Sequence, residues 1–468
     1  MLLIRGGRGG HGVGGGSLRA PPPTAARAFA TSLALALAAA GCTDATAGAR
    51  TQDAPSHEEG AHEAPAGGAA VDEAGPSQGA ADSTVRTPDA WSPPRVLPPG
   101  DASSTLHDAR VAAFAAGTGG SLHALFLRGS EEPGRPDRLL YAAFRAGRWT
   151  EPETLDGDAR RIASPRLAVD GGGRVHALWL RGPDAAHPER LSAVAHRVLA
   201  AGRWSAREAV YAGGADADLP DGGLDAAVDG AGAVHVVWPH PARGLVHLAW
   251  SAGRWRDMAP PGAAGADLRL IAGPRGALAL ADVMPMLGAL TQSAGAYGNA
   301  WVRTAGADGA WTQPLGLHPD PARAAHAPQL AWDRRGVLHA VWLEGTPGEM
   351  LPTRLMYAST VDGRRWSAPV EAGGEAPGRA FYSPRLAVDG AGTLHLTFAR
   401  FRDGVSFPRH FHASLAGTRW SAASEILPVE GERYSELETA VDSDGRLNAV
   451  WKAADGRYRH SVLTARTH

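Results

Sequence analysis

The sequence predicts an all-β fold, a seven-bladed β-propeller, from three observations. A strand–turn–strand phrase recurs along the chain, a tryptophan-bearing turn recurs in step with it, and the last copy lacks a piece that the first copy supplies. The phrase is plainest in SPRLAVDGGGRVHALWL (164–180) and SPRLAVDGAGTLHLTFA (383–399).

The chain of 468 residues carries a formal net charge of −2, which argues against the basic excess of a nucleic-acid binder. Its single cysteine, Cys42, rules out an intrachain disulfide, so the fold must rest on its core. Arg5, Arg8, Arg19 and Arg27 precede the apolar run AFATSLALALAAA (28–40), which is too short to span a bilayer and suits the apolar region of a secretory signal. The run ends in Ala39-Ala40-Gly41-Cys42 and resembles a bacterial lipoprotein signal. The resemblance implies that residues 1–42 are a signal and that Cys42 is lipidated. It also implies a location in the cell envelope, outside the cytoplasm, with the membrane touched only through the lipid anchor. Residues 43–88 are Ala, Gly, Pro, Ser, Thr and acidic residues with almost no large apolar side chains, and read as a disordered tether.

From residue 89 to 468 the chain is periodic. The first half-unit is an apolar strand, a D-x-x-G turn, then G-x-[VL]-H and a second apolar strand. It runs from Arg166 to His176, Asp225 to His235, Gln329 to His339, Arg385 to His395 and Glu438 to Asn448, with degenerate copies at Arg110 to His123 and Arg269 to Ala279. The second half-unit is a short strand and a glycine turn ending in Trp91, Trp149, Trp204, Trp255, Trp311, Trp366 or Trp420, which by subtraction lie 51 to 58 residues apart. Aspartate and glycine suit tight hairpins. Near-continuous apolar strands such as VHALWL suit sheets covered on both faces, as in a propeller blade between its neighbours. The last copy (435–465) has three strands and no tryptophan turn, whereas residues 89–97 supply a tryptophan turn and one strand. The N-terminal strand is therefore expected to complete the C-terminal blade, leaving no open edge.

The repeated His123, His176, His235, His339 and His395 occupy one equivalent position in different blades, so they are expected to bond within their own blades. Tyr141, His247, Trp301, Tyr357, His412 and His460 recur on the third strand and read as packing. No metal and no cofactor is expected. The longer loops 130–138, 182–190, 344–354 and 400–409 share one face and are the expected binding side. Four residues before the turn aspartate or its equivalent, every unit carries a polar residue among apolar neighbours: Arg110, Arg166, Asp225, Arg269, Gln329, Arg385 and Glu438. Arg385, Glu438, Arg110 and Arg166 come from consecutive units and read as a polar arc beside the central funnel, joined by Arg269. The guanidinium fork suits a carboxylate, as on an acidic sugar; the other reading is that these residues pair with one another.

Repeats of S-P-x-L-A-V-D-x-x-G-x-x-H followed by G-x-W-S-x-P resemble the sialidase-superfamily propellers with BNR or Asp-box-like repeats, over roughly residues 89–465. The resemblance implies an arginine group for a substrate carboxylate, a tyrosine nucleophile supported by a glutamate, and an aspartate acid. Tyr434-Ser435-Glu436-Leu437 matches the nucleophile stretch, which assigns Tyr434 as nucleophile, Glu436 (or Glu432) as its support and Asp108 (or Asp158) as acid. Tyr382-Ser383-Pro384-Arg385 matches less well. Sialidases are six-bladed where this chain counts seven units, and their arginine-isoleucine-proline signature is replaced by Arg95-Val96-Leu97-Pro98. Seven-bladed polysaccharide lyases would need a catalytic histidine that the sequence does not single out.

The expected function is recognition of a glycan or surface protein by a monomer, without nucleic acid. The alternatives are a sialidase-like exo-glycoside hydrolase and a structural subunit of an envelope complex. Replacing Cys42 by serine is expected to move the protein from the membrane to the soluble fraction; membrane association that survives the change would argue against lipidation.

Overall fold

The computed structural model describes residues 90–97, 106, 109–129, 135–182, 190–213, 218–221, 223–263, 265–285, 298–318, 323–345, 352–373, 381–400, 409–426, 437–453 and 455–464. Cys42, the signal and the tether lie outside them, as do Asp108, Glu432, Tyr434 and Glu436. The described chain is all-β apart from two single turns of 3₁₀-helix.

Hydrogen bonding groups the strands into six antiparallel sheets, an arrangement consistent with a β-propeller. A representative sheet runs Ile162–Val169, Val175–Arg181, Ala193–Ala200 and Arg203–Trp204 in spatial order, with Glu208–Ala212 also pairing to its third strand. The sequence counts seven units and the structure six sheets because one sheet is eight-stranded. In it the runs beginning at Ala266 and Ala324 are joined by one residue pair, Gly298 with Ala325.

The first strands of the units touch in chain order. Arg110–Ala116 lies beside Ile162–Val169, and Asp225–Val228, Ala266–Ala272, Ala324–Trp332, Phe381–Val388 and Leu437–Val441 follow, the last returning to Arg110–Ala116. The core is accordingly divided into wedges between neighbouring sheets. One wedge combines Leu125 and Tyr141 with Ala177 and Trp179, and the closing wedge combines Phe126 with Val450 and Tyr458. Second strands such as Val175–Arg181 and Val234–His240 are buried at six successive residues, as the continuous apolar runs predict.

Five turns follow one design. The Oδ1 of Asp170, Asp229, Asp333, Asp389 and Asp442 accepts hydrogen bonds from the backbone N–H groups two and four residues later, at 2.7–3.0 Å. The intervening glycine, such as Gly173 at φ 76°, takes the left-handed conformation that the turn requires. The two degenerate copies use the 3₁₀ turns Thr118–Gly120 and Pro274–Gly276 instead.

The N-terminal strand completes the last sheet. Ala90 and Trp91 pair with Thr464 and Leu463, and Arg95–Leu97 pairs with Tyr458–His460. The next join is tied by Tyr458 Oη and Lys452 Nζ, which donate to the Ala109 carbonyl at 2.8 and 3.0 Å. A chain begun at residue 98 loses these pairings and the burial of Leu97. Relative to a chain begun at 89 it is expected to melt on the order of 5–10 °C lower; equal melting temperatures would refute the closing role of this strand.

Candidate functional site

The polar position on the inner strands is set by a bulge. Ser164, Asp267, Ala327 and Ser383 sit at φ 46–51°, each two residues before Arg166, Arg269, Gln329 or Arg385. The strand register slips at each of these points. A bulge inserts one residue and re-aims the side chains beyond it, which lets a polar residue occupy a place among apolar neighbours.

The expected arc is largely paired off. Arg385 holds Glu438 with two hydrogen bonds, Nε to Oε2 at 3.0 Å and Nη2 to Oε1 at 2.5 Å. Arg166 Nε donates to Asp225 Oδ1 at 2.7 Å, and the Leu270 N–H donates to Asp225 Oδ2 at 2.7 Å. Arg269 Nη1 lies 4.0 Å from Asp225 Oδ2, and its Nε is buried without a hydrogen-bond partner among the described residues. Burial lowers the Arg269 pKa from its ordinary value, with Arg385 and Arg166 adding repulsion against the pull of Asp225. Burial works to raise Glu438, but Arg385, Arg269 and Arg166 overcome it and keep the carboxyl ionised. Arg166, Asp225, Arg269, Arg385 and Glu438 thus sense one another, whereas Arg110 is exposed and lies outside the expected position: the register puts Ala113, paired with Leu125, where Arg166 pairs with Leu178.

Of the acids proposed for catalysis only Asp158 is described. It bonds to Arg181 Nη2 at 2.6 Å and Arg207 Nη1 at 2.8 Å, and Arg207 leads the interactions that hold its pKa well below the carboxylate range. That is the opposite of what a general acid requires. Tyr382 is half-buried, and loss of water around its hydroxyl raises its pKa to about 12. The long loops expected to bind lie mostly outside the described residues.

The repeated histidines bond within their sheets. His176, His235 and His395 each place Nδ1 2.8–3.0 Å from Nε2 of His196, His247 or His412 on the third strand. His123 and His339 place theirs 2.6 and 2.9 Å from the hydroxyls of Tyr141 and Tyr357. On the other side, the Nε2 of His176, His235 and His395 lies 3.2–3.4 Å from the turn aspartate. The third-strand rings therefore do more than pack. Six of these rings also meet the turn tryptophan of the next unit edge-on: Tyr141 with Trp204, His196 with Trp255, His247 with Trp311, Tyr357 with Trp420, His412 with Trp91 and His460 with Trp149. The unit with Ala279 in place of histidine buries an Arg303–Asp282 ion pair, in which Arg303 Nη2 donates to both carboxylate oxygens at 2.9 and 3.0 Å.

Sequence reasoning passed over one residue of interest, Trp332. The residue before the turn aspartate is Val169, Val228, Val388 or Val441 in four units, and Ala116 and Ala272 hold that place in the two units with 3₁₀ turns. Only the unit of Asp333 carries tryptophan there, and that departure from the repeat was the available signal. Trp332 lines a cavity of about 360 Å³ where three neighbouring inner strands end.

No known family model matches the chain, and no curated protein matches it. Solved structures do. The BP39L lectin of Burkholderia pseudomallei aligns at TM-score 0.51 and 17% identity, over 75% of this chain and 98% of that one. A protein of unknown function from Dyadobacter fermentans aligns at 0.47 and 13%, over 80% and 98%. A Penicillium chrysogenum α-L-arabinanase aligns at 0.45 and 13%, over 81% and 99%. The likeness is one of β-propeller fold, and the sialidase resemblance of the motifs gains no family-level support from it.

Burial is the main reason that His123, His176, His247 and His460 fall to about 4 and His412 to about 3, from 6.5. The unfolded chain takes up protons below about pH 6.5 that the folded chain refuses. The stabilisation is complete above pH 6.5 and is lost as pH falls toward 4, at about 1.4 kcal/mol per pKa unit for each site. Urea midpoints are expected to drop steadily from pH 6.5 to 4.5; a flat profile would contradict the neutral, buried state.

Proposed function

We propose that the chain is a seven-bladed β-propeller that binds carbohydrate at the cell surface as a monomer and does not cleave it. Residues 1–42 export it, Cys42 anchors it through lipid, and residues 43–88 tether the ring of residues 89–468. The circular succession of inner strands supports the blade count, since the single pairing of Gly298 with Ala325 is a minimal weld between two units.

The observation that carries the non-catalytic reading is the pairing at the ring's interior. A sialidase-like site needs several arginines turned to one anion, and here Arg385 is engaged by Glu438 and Arg166 by Asp225. The likeness to a lectin along nearly that protein's whole length supports carbohydrate as the ligand class.

The test is the full chain applied to a panel of immobilised glycans, and in parallel to a fluorogenic sialoside. Binding without turnover is expected. Turnover that Tyr434→Phe abolishes would overturn this reading in favour of the hydrolase, with Tyr434, Glu436 and Asp108 at its centre. A protein partner captured with no glycan bound would overturn it as well.

A further inference from the structure

We propose that the cavity beside Trp332 is a saccharide site that takes an uncharged pyranose. The inference rests on the carbohydrate-binding reading and gives it a location, at the turn ends of the inner strands rather than on the long loops. The cavity, of about 360 Å³, is lined by Trp332, Arg334, Asp389, Asp442, Ser443 and Asp444 among others. That volume falls at the lower end of the roughly 300–1,000 Å³ typical of small-molecule sites.

The repeat itself does not require an indole, since valine or alanine fills the same place in the other units; Trp332 rests one edge on Gly273 and packs beside the core of its sheet. The Trp332 Nε1 is buried, and the pyrrole edge lies over Gly273, where a Cβ would come within 2.6 Å of the ring. The indole therefore offers the cavity carbon surface rather than a hydrogen-bond donor. A pyranose presents a face of C–H groups with slight positive charge, which complements the negative face of an aromatic ring.

Hydroxyl partners stand beside it. Ser443 Oγ accepts from the Gly120 N–H at 2.9 Å, which leaves its own hydrogen to donate. Asp444 is 59% exposed, with Oδ2 held by Arg446 Nη2 at 2.6 Å, and Arg334 is exposed. Asp389 and Asp442 are committed to their own turns and contribute mainly negative potential. Three carboxylates against Arg334 and Arg446 disfavour a sugar that carries a carboxylate.

The test is titration of the full chain with methyl pyranosides, followed by calorimetry, for wild type, Trp332→Val, Trp332→Phe and Asp444→Asn. Valine is the residue that four other units carry at this place. We expect Trp332→Val to weaken binding by about tenfold or more, Asp444→Asn to weaken it severalfold, and phenylalanine to retain most of it. Unchanged affinity in Trp332→Val and Asp444→Asn would overturn the location and leave the carbohydrate reading intact. No saccharide bound by wild type, on this series or on the glycan panel, would overturn both. Preference for a uronate, a sialoside or choline would overturn the assignment of an uncharged pyranose. Should Trp332→Val fail to fold, the phenylalanine and asparagine variants decide.

Discussion

The structure hangs on ring contacts between sheets, which in the units of His176, His235 and His395 end a relay of hydrogen bonds. A turn aspartate fixes the turn through the backbone and touches a buried histidine. The histidine bonds a second ring on the next strand, and that ring receives the edge of a tryptophan from the following unit. Hydrogen bonds run along the sheet and aromatic contact runs between sheets, so each unit is specified by its neighbour as well as by itself. The relay also accounts for closure. Trp149 rests on His460 of the last sheet, and Trp91, contributed by the N-terminal strand, rests on His412 of the sheet before it.

The ring's interior follows a different logic. Ion pairs such as Arg385–Glu438 and Arg166–Asp225 give back much of what desolvation costs, so their net contribution to stability is small. What they supply is order among inner strands that meet at close quarters, and the bulges make room for them. Removing one partner leaves the other charge only partly hydrated. The buried Arg303–Asp282 pair is the extreme case: burial pushes the aspartate up to about 6 against the pull of Arg303. Two backbone carbonyls, of Pro261 and Ala263, accept from Nη1, while Nε is buried without a hydrogen-bond partner among the described residues.

Much of this architecture was legible in the sequence because a repeat shows its rules several times over. The D-x-x-G turns, the doubly buried second strands and the N-terminal completion of the last sheet were all readable from pattern. The bulges were not. Ser164, Ala327 and Ser383 precede proline, yet Asp267 takes the same left-handed conformation before leucine, so a following proline does not by itself mark the slip in register. Nor was the pairing of the arginines visible. Arg385 and Glu438 are 53 residues apart, and only the circular placement of inner strands brings the fork to the carboxylate. Trp332 shows the converse: it stands where four other units carry valine, and a pattern built from what recurs carries no mark of it.

One contact between turns has a consequence for recognition. The Gly390 N–H donates to the Gly445 carbonyl at 2.9 Å, and a Cβ at Gly445 would fall 2.3 Å from the Gly390 Cα. Here backbone meets backbone, and both glycines border the Trp332 cavity. A wall of that kind has no rotamers to select. Its shape is set when the chain folds, so a guest arriving there meets a surface already in place and need not spend affinity on freezing it. Such a wall favours discrimination by fit over adaptation, and stereoisomers differing at a single hydroxyl would be told apart by steric refusal.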